Sequence, residues 1–250
     1  MKKSLLIFLL LAFSWGAAAA GKPFRSGEKI DLFMYYKWGA VNKEIGSVRF
    51  QLDSVSLRGE QVYYSQLTAR SNALFDMFYK IREHFHSWFT TDALQPRRYI
   101  RETQEGDYSA YNLYEYDWGA GVIHADVAMG SSEIDKMDIP ISGEVYDLAS
   151  IIYYLRTIDY SGAHPGERFP LKFAIDDAVF NVAVTYCGRE TKKFRFSGSV
   201  DTWHLCCTVV SGALFDGDTQ LHFWVSTDGR CLPYAIMVPL RIGAVWAYMK

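Results

Sequence analysis

The chain has 250 residues, with 26 Lys and Arg against 28 Asp and Glu, a formal charge of −2 at pH 7 and 50% hydrophobic residues. This near-neutral balance gives no electrostatic case for nucleic-acid binding, which asks for a basic patch. No stretch supplies the roughly 20 apolar residues of a membrane-spanning helix, and a chain of this length buries roughly 70–75% of its unfolded surface without needing staples.

Residues 1–20 read as a secretory signal. Lys2 and Lys3 give the positive start, residues 5–13 the apolar run, and Ala18, Ala19 and Ala20 the small-residue exit before Gly21. Cleavage is expected after Ala20, leaving 21–250 as one β-rich domain with strand-rich halves at about 21–128 and 144–250.

Alternation with period two then dominates. In residues 29–38, Ile30, Leu32, Met34, Tyr36 and Trp38 share one face, and Asp31, Phe33, Tyr35 and Lys37 the other. Residues 44–55 and 61–70 pair across Gly59. Residues 77–89 set Phe78, Lys80, Arg82, His84, His86 and Trp88 against Met77, Tyr79, Ile81, Glu83 and Phe85, which predicts a long, partly exposed strand. Residues 97–103 and 107–117 flank Gly106, and 122–127 follow the glycines at 119 and 121. Such regularly spaced strands with turn signals between them mark a sandwich or barrel.

The polar, glycine-containing stretch 129–143 breaks the pattern and reads as an internal hinge. After it, 146–156 is the one predicted helix. Leu148, Ile151, Ile152 and Leu155 fall at helical spacing, and Asp147 can cap the amino end. An apolar stripe on a lone helix in a β protein covers an open end of the sheet. Beyond it, 168–175 and 178–187 pair over Asp176 and Asp177, and 191–196 and 200–209 pair around Gly198. Residues 220–226 turn at Asp228 and Gly229 into 231–240. Leu240, Ile242, Ala244, Trp246 and Tyr248 then line one face of a last strand. The expected fold is mainly β: a strongly curved antiparallel sheet forming a barrel or two half-barrels, lipocalin-like or β-roll-like, with one short helix.

Cys187, Cys206, Cys207 and Cys231 are the only cysteines. Export permits disulfides, and full pairing leaves three connectivities open, with buried free thiols as the alternative. Adjacent Cys206 and Cys207 on a strand point to opposite faces, so at most one of them serves a bridge on a given face. His84 and His86 share a strand face and make half of a zinc site, with His204 and His222 as distant third ligands. Two histidines on an exposed strand are the commoner situation. His204 and Cys206 share a face as a nucleophile pair, but an outward i, i+2 pair lacks a triad's geometry. Asp216, Gly217 and Asp218 resemble a fragment of a calcium loop without its other ligands and read as a turn. No G-x-S-x-G, P-loop or dinucleotide fingerprint occurs. The expectation is therefore no enzyme, with no catalytic residues, no metal and no cofactor.

Aromatic content does rise above background, at 16%, with Tyr63, Tyr64, Tyr79, Tyr99, Tyr108, Tyr111, Tyr114 and Tyr116 concentrated in the first half. Rings on curved strands suit a cavity for an apolar or glycan-like small molecule, or equally a thick aromatic core. On the cavity reading the ligand-binding residues are Tyr36, Trp38, Tyr63, Trp88, Tyr99, Tyr111, Arg156 and Trp224.

Several short stretches in order are similar to the exported family called domain of unknown function 3108. They are Phe24-Arg25-Ser26-Gly27-Glu28, Phe78-Tyr79-Lys80-Ile81-Arg82-Glu83, Leu94-Gln95-Pro96-Arg97-Arg98-Tyr99, 149–156 with Thr157, Gly188-Arg189-Glu190, Phe223-Trp224-Val225-Ser226 with Asp228, Pro233, and Ile242-Gly243. The resemblance implies a periplasmic, β-rich protein of Gram-negative bacteria with no established activity, so it carries over no catalytic residue. Arg156, Arg189 and Glu190 match its polar positions and imply a structural salt-bridge set first and an anion site second. The Cys206-Cys207 pair departs from the pattern. The expected function is non-enzymatic binding or carriage of a lipid-like or glycan-like molecule in the envelope, or, alternatively, a structural or assembly role with an envelope protein partner. An outer-membrane barrel, which the last strand hints at, fits poorly with Lys250 at the end and charge on many outward faces.

Overall fold

A computed structural model describes residues 21–130, 132–208 and 220–250; the expected signal segment at 1–20 and the expected turn at 216–218 lie outside the described residues. The first meander is β1 (Glu28–Trp38), β2 (Val41–Leu57), β3 (Glu60–Ser71), β4 (Ile81–Thr90), β5 (Pro96–Glu105), β6 (Tyr108–Asp117), β7 (Val122–Met129) and β8 (Asp135–Pro140), with α1 (Ala73–Asp76) between β3 and β4. Helix α2 (Ser150–Arg156) leads to the second: β9 (Arg168–Ile175), β10 (Ala178–Phe194), β11 (Gly198–Thr208), β12 (Gln220–Ser226), β13 (Pro233–Pro239) and β14 (Ala244–Met249). All named strands belong to one 14-stranded antiparallel sheet, in which sequence neighbours pair except β8 and β9, and β1 pairs with β14. The expected curved antiparallel β fold is present. The first and last strands thus form the centre of the sheet, and β8 and β9 are its two ends.

The sheet curves without closing, so two edges need protection. At β9 the segment before α2 adds a parallel bridge: Tyr146 N donates to Lys172 O (2.9 Å) and Ala174 N to Tyr146 O (2.8 Å). At β8 the edge carries Asp135, Lys136, Asp138 and Pro140, which discourage a further strand.

Helix α2 and its flanks lie inside the curve. Ala149 is buried with Tyr99, Tyr114 and Ile123, and Ile152 packs on Ile30 and Leu32. Ile151 and Leu155 meet Leu171 and Leu205, while Tyr153 is buried with Phe24, Leu52 and Phe89. A lone apolar helix therefore joins four clusters into one interior. A fifth cluster, around Tyr35, Phe194, Trp224 and Tyr248, receives nothing from the helix and lies on the outer face. The far end of the β10–β11 hairpin covers it, with Phe194 against Trp224 and Tyr234, and Phe196 against Phe33.

Five local expectations are corrected. The hinge at 129–143 contains β8, whose polar residues reflect an edge position and not a loop. The strand expected from residue 77 starts at Ile81, because Asn72 accepts a hydrogen bond from Phe75 N (2.9 Å) and caps a helical turn, α1; there are thus two helices. Helix α2 begins only at Ser150: residues before it are held extended on β9, and Asp147 accepts from Ala149 N and Ser150 N (2.9 and 2.8 Å). Segments 178–187 and 191–196 are one long strand, β10. The last strand starts at Ala244, since Leu240 N donates to Gly243 O and Gly243 takes φ +76°, a turn. No helix among the described residues is long and apolar enough to cross a membrane.

Candidate functional site

Inward-facing residues of β4, β5 and β6 alternate with outward ones, and several of the inward ones are polar. Arg101 donates from Nε to Thr103 Oγ1 (2.9 Å), and Thr103 donates to Glu83 Oε2 (2.6 Å). Arg101 Nη1 also reaches Asp176 Oδ1 (2.8 Å) in the β9–β10 turn, while Tyr114 OH donates to the Asp176 carbonyl (2.7 Å). These bonds cross from the first meander to the second. Nearby, Ser87 donates to Asp147 Oδ2 (2.6 Å). Burial pushes the Asp147 carboxyl up to about 6 against its hydrogen bonds from Ser87, Ser150 and Ala149. Burial likewise pushes Glu83 up to about 8, opposed by the Thr103 bond. The hydroxyls of Tyr99 and Tyr116 and one Glu83 oxygen are buried without a partner among the described residues. The network is packed among aromatic rings, and its bonds tie the first meander to the second across the open seam.

Room exists at one end of the barrel, where the amino-terminal strand approach meets the β12–β13 turn. An open cavity of about 760 Å³ is lined there by Pro23, Phe24, Ile30, Leu232 and Met249 and by charged residues around them. Every acid in the lining is neutralised. Glu28 pairs with Arg156, Asp31 with Arg49, and Asp228 with Arg230. Burial raises the Asp228 carboxyl, but hydrogen bonds from Arg230 and Ser226 outweigh it and hold it at about 2. Arg25 and Lys29, also in the lining, carry no acidic partner among the described residues. Lys22 donates to the Asp92 carbonyl (2.7 Å), and Lys250 lies over the Phe33 ring. The mouth is apolar below and cationic at the rim.

The eight residues expected to bind a ligand do not meet in one place. Arg156 is the one tied to the mouth: it is buried, pairs through Nη1 and Nη2 with Glu28 (2.5 and 3.0 Å), donates to the Pro23 and Arg230 carbonyls and stacks over Phe24. Tyr63 packs edge-on against Phe24 just inside it. Tyr36 faces inward and donates to the Ile242 carbonyl at the opposite end, beside Trp38, which is 58% exposed. Tyr99 is fully buried. Trp88 lies on the outside, stacked on Tyr64, and Tyr111 lines a shallow outer depression with His84 and Glu102. Trp224 sits in the outer aromatic cluster and donates to Glu190 (2.5 Å). Arg156, Arg189 and Glu190 likewise form no single set, since Arg189 pairs with Asp201 and Glu190 approaches Lys192 and His204. The sequence reading missed Arg25, Lys29, Arg230 and Leu232, which are far apart in the chain and join only because β1 and β14 pair.

The family model described as "Protein of unknown function (DUF3108)" matches residues 33–250, so the similar opening at 24–28 lies before the matched span. No curated protein matches. Among solved structures, the β-barrel-like protein of domain of unknown function DUF1849 from Brucella abortus is similar in fold, with a TM-score of 0.57, 8% identity and coverage of 89% of this chain and 95% of that one. At that identity the likeness shows the fold alone. With residues 33–250 matched, from within β1 through the last strand, this chain belongs to the DUF3108 family of proteins of unknown function.

Proposed function

We propose that the protein is an exported periplasmic binding or carrier protein, not an enzyme, and that it takes an amphipathic anion of lipid-like chemistry at the mouth. The mouth itself carries this reading: apolar side chains lie beneath cations whose nearby acids are already paired. A cavity near 760 Å³ is in the range of small-molecule sites. Phe24 is the one ring in the lining and is buried, so no flat aromatic platform is offered to a sugar, which favours a lipid-like over a glycan-like ligand. Cleavage after Ala20 would add the Gly21 ammonium to the rim. Calorimetric titration of the mature protein with decanoate is expected to show one site per chain, with weaker binding of decanol. In R25E/K29E the decanoate affinity is expected to fall at least tenfold. Absence of heat, or equal decanoate binding by wild type and variant, overturns the reading.

A second reading, docking to an envelope protein partner, draws on the opposite end of the barrel. Trp38, at the end of β1, and Leu74, Met77, Phe78, Ile134 and Ile242, in connections between strands, are large, apolar and exposed, and all sit at that end. Crosslinking in envelopes should then capture the same protein with wild type and lose it with M77S/F78S. Equal capture by both rejects this second reading.

A further inference from the structure

The ladder between β10 and β11 pairs Tyr186 with Leu205 and then Gly188 with His204, which leaves Cys187 as the extra residue of a bulge. Gly188 takes φ +137°, a conformation that favours glycine. The bulge presents Cys187 to the outer face, where it forms a disulfide with Cys206, with Cα atoms 6.4 Å apart. Two histidines share that face. His204 precedes Cys206 by two residues, and His222 stands directly across from Cys206 on β12. His204 Nε2 lies 2.9 Å from His222 Nδ1, and Cys206 Sγ lies 3.3 Å from His222 Nδ1 and 3.7 Å from His204 Nε2. The donor atoms of Cys187, His204 and Cys206 fall within 4.8 Å of one another.

Three of these donors are mutually close, and His222 Nδ1 adjoins two of them, His204 Nε2 and Cys206 Sγ; two sulfurs and two imidazole nitrogens are the donor set of a tetrahedral zinc site. The surroundings are those a metal-ligating histidine needs. Behind His204, on its other nitrogen, Glu190 Oε1 lies 3.7 Å from Nδ1, and Trp224 Nε1 donates to that same carboxylate oxygen. At 3.7 Å that carboxylate is beyond hydrogen-bond distance in the disulfide form, and a small approach to Nδ1 would let it favour the tautomer that leaves Nε2 free to ligate. The His204 ring is stacked on Trp224 with centroids 4.7 Å apart, which fixes its plane. Three adjacent strands, β10, β11 and β12, supply the ligands. By contrast, His84 and His86 belong to no such group among the described residues: His86 Nδ1 is engaged by Tyr64 OH, and His84 faces the depression beside Glu102.

We propose that Cys187, Cys206, His204 and His222 form a zinc(II) site that is closed by the disulfide and opened by its reduction. A protein dithiol attacks the Cys187–Cys206 bond by thiol–disulfide exchange; the cystine is reduced to two thiols while the dithiol is oxidised to its own disulfide. Zinc(II) then replaces the two thiol protons, forming two Zn–S and two Zn–N bonds and releasing two protons to solvent. Oxidation by a disulfide of higher potential expels the ion and restores the crosslink. The site is therefore either a covalent staple or a metal clip across the same strands, set by the thiol poise of the compartment.

The test uses the mature protein in a C207A/C231A background, so that Cys187 and Cys206 are the only thiols. Oxidised protein should take no zinc. Protein reduced with a phosphine, which ends as the phosphine oxide with oxygen from water, should bind one zinc per chain by calorimetry. Cobalt(II) in its place should give the visible bands of tetrahedral coordination and a thiolate charge-transfer band. C206S should abolish the charge-transfer intensity of a two-thiolate site and weaken zinc binding at least 100-fold, and H222A and E190Q should each weaken it about 10–100-fold. Reduced protein that binds no ion, or an octahedral cobalt spectrum, overturns the proposal, and this readout does not depend on any ligand variant folding.

Discussion

The Arg101–Asp176 ion pair holds the two meanders together where the sheet fails to close, and replacing Arg101 by Met tests that role. Arg101 is buried and Asp176 is 24% exposed on its side chain. Arg101→Met removes the charge while filling much of its volume, leaving Asp176 without its cation and Thr103 without a donor. Breaking a buried pair from one side costs about 3–5 kcal/mol. Partial exposure lets water reach Asp176, so a cost of about 2–3 kcal/mol is expected. For a chain of this size each kcal/mol lowers Tm by about 2–4 °C, giving a fall of roughly 4–12 °C. The double variant R101M/D176N removes the stranded charge as well and should recover about 1–2 kcal/mol relative to additivity. Urea unfolding followed by near-ultraviolet circular dichroism measures all of these. A single variant with wild-type stability, or strict additivity in the cycle, would show that the seam is held by apolar packing alone.

Other consequences can be checked on the same material. Tyr153→Ala, which empties the space between Phe24 and Phe89 under α2, should cost about 3–5 kcal/mol in unfolding free energy; a Tm unchanged from wild type would deny the helix its place in the core. Gly46→Ala would drive a Cβ into the Arg70 carbonyl oxygen and Ser71 Cα across the β2–β3 ladder, so a loss of about 1–3 kcal/mol or more is expected by urea melt. Glu83 and Asp147 bind protons more tightly in the folded state than in the unfolded, so their contribution is complete below about pH 4 and is lost as pH rises through about 6 for Asp147 and about 8 for Glu83. Asp76 and Asp228, held at about 2, act in the opposite direction only at lower pH. The urea midpoint should fall from pH 5 to pH 8, and Glu83→Gln, which imitates the protonated acid, should flatten the upper part of that fall; an unchanged profile in the variant removes Glu83 from the account.

Alternation made most of the sheet legible. Ile30, Leu32, Met34 and Tyr36 announced their inward face, and Asp147 announced the approach to the helix it caps. Edge and seam residues were illegible for a shared reason: their patterns answer to backbone pairing and to distant partners, not to a local oily face. β8 reads as a polar loop because little but its ladder to β7 asks for a strand. Cys187 reads as the end of one strand because a bulge displaces it by a single residue, and only the paired register shows it on the face of Cys206. The mouth was hidden differently. Arg25, Lys29 and Arg230 carry no periodic signal, and their meeting follows from β1 pairing with β14.

The same curvature also decides what the aromatic wealth of the chain is for. Tyr99, Tyr114 and Tyr153 are spent inside, against α2 or the clusters it joins, while Trp224, Tyr248 and Tyr35 form a separate outer core under the β10–β11 hairpin. With its flanking residues the helix reaches all four inner clusters and fills the space between them, so the ligand site proposed above lies at an end of the barrel and not in its centre. At one end the acids are matched by arginines and the remaining cations face an apolar floor; at the other, exposed apolar side chains crowd the turns. A protein whose centre is filled and whose two ends differ in this way is built to present distinct surfaces, and decanoate binding at the first end, independent of M77S/F78S at the second, is the behaviour that separation requires.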